Sequence, residues 1–171
     1  MPIETTDLVH RISGGAANTD PNDSLGGAMS IDDAGIIISG KSNNDMDDIT
    51  GDESSDGISI YHAYYYQNNH GSLTWINPVM WIESQTSSGD TSVEIAMANE
   101  SKNITIETIA DEETSPTGPT FSTPANKAAG LSIGSLDAGD YRGHWIKYVV
   151  NPSATAAEDA YTIKAEGDSN P

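Results

Sequence analysis

The apolar residues of this chain come in short runs, several with a period of two, and no segment holds a 3.6-residue apolar stripe over three helical turns. Val93-Glu94-Ile95-Ala96-Met97 alternates cleanly, and Ile104-Thr105-Ile106-Glu107-Thr108-Ile109 begins that way. Trp145-Ile146-Lys147-Tyr148-Val149-Val150 is apolar on both faces, which predicts a central strand. Turn clusters rich in Gly, Asn, Asp, Ser and Pro separate these runs. Asn68-Asn69-His70-Gly71 and Asp137-Ala138-Gly139-Asp140 are the clearest connections. The expected fold is therefore all-β: an antiparallel β-sandwich or jelly-roll-like single domain. Candidate strands are 7–12, 25–31, 35–39, 58–67, 73–76, 79–83, 91–98, 104–109, 120–122, 131–133, 141–150 and 160–166. Residues 1–18 read as an N-terminal arm and 19–171 as the sandwich. At 171 residues one core is feasible.

Charge excludes whole classes of partner. Twenty-six acidic residues face seven basic ones, for a net charge of −19. Such a surface repels a phosphate backbone, so no nucleic acid is expected as partner. Anionic membranes are disfavoured for the same reason, and no apolar run approaches the ~18 residues of a membrane span. Cysteine is absent, so disulfides, thiolate zinc sites and a cysteine nucleophile are excluded.

Several residue groups could carry chemistry. Asp45, Asp47, Asp48 and Asp52 crowd the polar stretch 43–57, where carboxylates could converge on Ca2+. The spacing fails the EF-hand pattern, because Ile49 stands at a ligand position. A solvated acidic loop with no cofactor is the simpler expectation. Gly130-Leu131-Ser132-Ile133-Gly134 matches G-x-S-x-G, but a turn and another strand follow it where a nucleophile elbow needs a helix. The four histidines, His10, His62, His70 and His144, lack metal spacing, and His62 and His144, within strand runs, read as packed imidazoles. The adjacent Glu112 and Glu113 diverge in any extended chain. Trp75, Trp81 and Trp145 suit a core in a chain with one Phe. Tyr61, Tyr64, Tyr65 and Tyr66 could instead present rings at a subunit interface. No nucleophile–base set assembles, so an enzyme is not expected.

Five stretches carry a family resemblance. They are Ser13–Gly27, Gly51-Asp52-Glu53, Asn68–Leu73, residues 120–134 around Lys127-Ala128-Ala129-Gly130, and the tail Ala160–Asp168. Together they resemble small virion structural proteins of tailed bacteriophages and related prokaryotic viruses, over about residues 11–168. The resemblance implies a particle component in the virion, bound to capsid or tail proteins and to copies of itself, as a head decoration or cement protein or a tail- or baseplate-associated protein. It brings no catalytic residues. The acidity and the Tyr and Met content depart from the family and point to a marine or haloarchaeal host. The alternative expectation is a carbohydrate-binding or host-adhesion module using exposed Trp and Tyr.

Self-repulsion at −19 weakens a compact state at low salt. The Debye length falls from about 10 Å at 0.1 M to about 3 Å at 1 M, which removes most of that penalty. The thermal unfolding midpoint is therefore expected to rise between 0.1 and 1 M NaCl. A midpoint independent of salt would leave only the reading of acidity as a solubility device.

Overall fold

The computed structural model describes residues 3–41, 45–46, 48–155 and 158–169. They form a β-rich, sandwich-like single domain of antiparallel sheets with one short helix. The strands are β1 (Leu8–Ile12), β2 (Gly26–Gly27), β3 (Ile58–Asn68), β4 (Trp75–Ser84), β5 (Thr91–Met97), β6 (Ile106–Thr108), β7 (Leu131–Ser132), β8 (Tyr141–Val150) and β9 (Thr162–Ser169), with helix α1 (Gly51–Asp56) before β3. A four-stranded sheet in the order β1-β3-β8-β5 is the middle layer. A three-stranded sheet, β7-β4-β9, covers one face, and the two-stranded ribbon β2-β6 with its flanking loops covers the other.

Double burial explains the composition of β3 and β8. Alternate side chains of a strand point to opposite faces. Tyr64, Tyr66, Ile146, Val93 and Ile95 turn toward β4 and its neighbours, where Trp75, Met80, Ile82 and Leu136 meet them. Ala63, Tyr65, Trp145 and Ala96 turn the other way, toward Met29, Ile106 and Ile109. With both faces buried, neither strand can alternate polar with apolar, and β8 lies between β3 and β5 as its sequence predicts.

The N-terminal arm requires correction. Residues 8–12 of the expected 1–18 arm are β1, paired in register from Leu8↔Asn68 to Ile12↔Tyr64 within the middle sheet. Arg11 holds the following loop to that strand. Its guanidinium donates to Gln67 Oε1 at 2.9 Å and to the Asp32 carbonyl at 3.0 Å, and it is 8% exposed. The expected strands 73–76 and 79–83 are one strand, β4, bulged at Asn77 and Pro78. Asn77 takes φ 47°, and the register shifts between Ile76 and Val79. A bulge is where a proline fits inside a sheet. The expected strands 35–39 and 120–122 shrink to single bridges, Arg11↔Ile36 and Ile95↔Ser122.

The ribbon β2-β6 lies close to the chain it pairs with. Gly26 has φ 90°, and a Cβ there would sit 1.8 Å from the Glu107 carbonyl oxygen. Gly139 has φ 85° with open space around it. Gly139→Ala is expected to cost only left-handed strain, about 1–2 kcal/mol. Gly26→Ala adds a backbone clash and is expected to exceed ~3 kcal/mol in urea unfolding. Equal costs at the two positions would refute the close approach.

Candidate functional site

The most concentrated group of titratable rings lies inside the sandwich, on the face of the middle sheet toward β4. β1, β3 and β8 place His10, Tyr66, Tyr64, His62 and His144 there by register: His10↔Tyr66 and Tyr64↔His144 are cross-strand partners. His10, Tyr66 and His144 form a cluster of three nearly parallel rings. The centroids are 4.8 Å apart for His10–Tyr66, 4.6 Å for Tyr66–His144 and 5.0 Å for His10–His144, all within 18° of parallel.

The two imidazoles share a hydrogen bond, His10 Nε2 to His144 Nε2 at 3.1 Å. His144 is fully buried, and its Nδ1 has no hydrogen-bond partner among the described residues. A bare acceptor nitrogen is tolerated better than a buried N–H without an acceptor. We therefore assign the proton to His144 Nε2, donating to His10 Nε2, which leaves Nδ1 unprotonated. Burial lowers the His10 pKa to about 4. Burial, and then the neighbouring His10, push His144 well below the ordinary imidazole value. By area His10 is only half-buried on its edge strand, so its shift is the weaker of the two in solution. Burial raises the Tyr64 and Tyr66 hydroxyls, so both stay neutral.

Beside the cluster, Asp45 is drawn inward. Its carbonyl accepts from His62 Nδ1 at 2.8 Å and from the Tyr64 hydroxyl, and its carboxylate accepts from the Tyr161 hydroxyl. His62 Nε2 lies 3.5 Å from the Glu112 carboxylate. The expected calcium ligands are thus used differently. Asp45 ties the loop to the core, and Asp52 sits in the first turn of α1. Asp48 is exposed, and Asp47 lies outside the described residues. Among the described residues no three His, Asp or Glu side chains gather as metal ligands would. The signal overlooked in the sequence is a capping box. Thr50 Oγ accepts from Glu53 N at 3.3 Å, and Glu53 Oε2 accepts from Thr50 N at 2.6 Å.

The tyrosine expectation also changes. Tyr64, Tyr65 and Tyr66 are core residues, and only Tyr61 is half-buried, packed edge-on against Phe121 at 5.4 Å. The Tyr65 hydroxyl donates to the Gly27 carbonyl at 2.6 Å and accepts from Ile106 N at 3.0 Å, which fastens the β2-β6 ribbon to the sheet. Trp75, Trp81 and Trp145 are all buried. Ser132 of the G-x-S-x-G stretch lies in extended strand β7, opposite Val79, and not on a strand-to-helix turn.

A second polar centre holds the strand ends. Asp159 accepts from Ser87 N at 2.6 Å, Ser87 Oγ at 2.9 Å, Ser88 N at 3.2 Å, the Thr91 hydroxyl and the Tyr148 hydroxyl at 3.1 Å. Burial alone would raise its pKa, but these donors outweigh burial and bring it to about 2. A shallow cleft of about 360 Å3 is lined by Gly14, Gly15, Gly26, Gly27 and Thr108, among others.

The histidine pair makes stability pH-dependent with a definite sign. Both folded-state values lie below the unfolded value of about 6.5, so folding favours the neutral rings. Their contribution is complete above pH ~6.5 and is lost as pH falls toward about 4. A loss of about 1–3 kcal/mol between pH 7 and 5 is expected from urea unfolding. The variant His10→Phe/His144→Phe should flatten that window while leaving the steeper carboxylate loss below pH 4. An unchanged slope in the variant would show that the pair does not titrate with folding. Comparison of the chain with protein-family models, with curated proteins and with solved structures finds no match to any of them.

Proposed function

We propose that this protein is a non-enzymatic structural component of a tailed virus particle, a head decoration or cement protein or a tail- or baseplate-associated protein, acting through protein–protein contacts. One observation carries the reading. The buried rings of Tyr64, Tyr65, Tyr66, His62, His144, Trp75 and Trp145 are committed to the interior, where they pack the middle sheet or fasten loops to it. What faces outward is an acidic, turn-rich shell on a β-rich block. The sequence resemblance over residues 11–168 supports the same assignment and supplies the virion as its setting.

The alternative, a sugar-binding adhesion module, needs an aromatic platform at the surface. Among the described residues every Trp, Tyr and Phe ring is buried or half-buried. The acidic excess is consistent with a saline environment. Four of the lysines already pair with carboxylates, Lys102–Asp140 at 2.5 Å, Lys127–Glu166 at 2.7 Å, Lys164–Glu83 at 3.1 Å and Lys147–Glu94 at 3.3 Å.

The test is particle composition. Virions purified from the culture carrying this gene, then washed in buffer of matched salt, should contain the chain at a fixed ratio to the major capsid or tail protein by quantitative mass spectrometry. Its absence from washed particles, with abundant protein in the soluble fraction, would overturn the assignment.

A further inference from the structure

The sheet edges of this molecule are not treated alike. The outer edge of β1 receives Ile37 N on the His10 carbonyl at 2.8 Å and bridges to Ile36. The outer edge of β5 exchanges two bonds with Ser122, at 2.9 and 3.0 Å. β9 is different. Among the described residues the backbone of this eight-residue strand has no hydrogen-bonded neighbour except β4. Its core-facing Ile163 and Ala165 are only half-buried, whereas Met80 and Ile82 on the adjoining strand are 0% and 3% exposed.

The direction of its free backbone groups follows from the neighbouring bonds. Ile82 N donates to the Pro124 carbonyl at 2.8 Å, and the Pro78 carbonyl accepts from Ile133 N at 2.9 Å. Residues 78, 80 and 82 therefore turn their backbone groups toward β7. Val79 and Trp81 turn theirs toward β9, opposite Glu166 and Lys164. By alternation Ile163, Ala165 and Gly167 aim their N–H and C=O groups at the open edge.

We propose that β9 pairs antiparallel with β9 of a second copy about a twofold axis at Ala165, merging the two outer three-stranded sheets into one continuous sheet. Charge selects the partner and the register. On the solvent face Lys164 and Glu166 flank the axis, 47% and 52% exposed. A twofold at Ala165 sets Lys164 opposite Glu166 of the second copy, twice. A twofold at Glu166 sets Glu166 against itself, and one at Lys164 sets Lys164 against itself. Lysine on an edge strand ordinarily blocks pairing with other chains. Here the opposite charge two residues away reverses that effect for a single register. Ala165 then forms the close pair, each N–H donating to the other's carbonyl. The inference does not rest on the virion assignment.

Sedimentation equilibrium of the full chain in about 0.5 M NaCl tests it, since the Debye length is then roughly 4 Å and remote repulsion is screened while contacting pairs still interact. A concentration-dependent dimer is expected. Ala165→Pro removes an outward-pointing donor without touching the bonds to β4, so it should abolish the dimer while leaving the unfolding midpoint nearly unchanged. Glu166→Lys should weaken association roughly ten-fold, and the swap Lys164→Glu/Glu166→Lys should restore it to within about three-fold. Loss of the Lys127 ion pair is common to both variants, so it cannot explain the rescue. A chain monomeric to about 0.5 mM, a dimer indifferent to Ala165→Pro, or a swap that fails to rescue would each overturn the proposal.

Discussion

Burial of the middle sheet on both faces is the constraint from which the rest of the structure follows. A strand covered on one side can spend every second residue on water; β3 and β8 cannot. They therefore carry large rings on successive positions, Tyr64, Tyr65 and Tyr66 on one and His144 with Trp145 on the other, directed alternately into two cores. The outer covers differ because their tasks differ. The β4 sheet supplies a broad apolar face of Trp75, Met80 and Ile82. The β2-β6 ribbon supplies little surface of its own, so it is held by the Tyr65 hydroxyl and by the contact that only glycine permits at position 26.

The same constraint governs the buried polar groups. A polar side chain on a doubly covered sheet must find its partners inside the protein. Asn68 does so by donating to the carbonyls of Leu73 and Leu136 at 2.8 and 2.9 Å while accepting from His70 N at 3.1 Å. Ser13 accepts from Gly26 N at 3.0 Å, and Arg11 gathers the carbonyls of the 30–32 loop. The Asn68 and Arg11 bonds run from the sheet to connecting segments, and the Ser13 bond ties the end of β1 to the β2-β6 ribbon. The long loops of this chain are thereby ordered by the sheet they cross.

How much of this is legible in the sequence depends on whether a signal is local. The span of β8, 141–150, and its central place follow from its two apolar faces, and the all-β class follows from runs with period two and the absence of helical stripes. The bulge that joins two expected strands into β4 hides behind Pro78, which locally argues against a strand interior. Tyr64–Tyr66 read first as core, with their outward members open to an interface, because alternation says which residues share a face and not which faces are covered. The pairing of His10 with His144 spans 134 residues and leaves no local trace. Asp45 belongs to an acidic cluster in the sequence, yet its partners, His62, Tyr64 and Tyr161, come from two distant strand regions. The capping box at Thr50 and Glu53 was readable, and the carboxylate count around it drew attention from it.

The balance of charge and edges bears on why such a fold would carry so many carboxylates. An acidic shell keeps identical chains apart at long range, a repulsion that salt removes. Backbone pairing at a sheet edge acts only at contact, through hydrogen bonds that salt does not screen in the same way. A protein built with both therefore separates two decisions. Salt sets whether two copies can approach, and the edge sets how they meet. The edges of β1 and β5 are covered by their own chain, whereas the β9 edge leaves the outer sheet a direction in which it can grow. A closed twofold pairing consumes that edge in both copies at once, so growth along it stops at two.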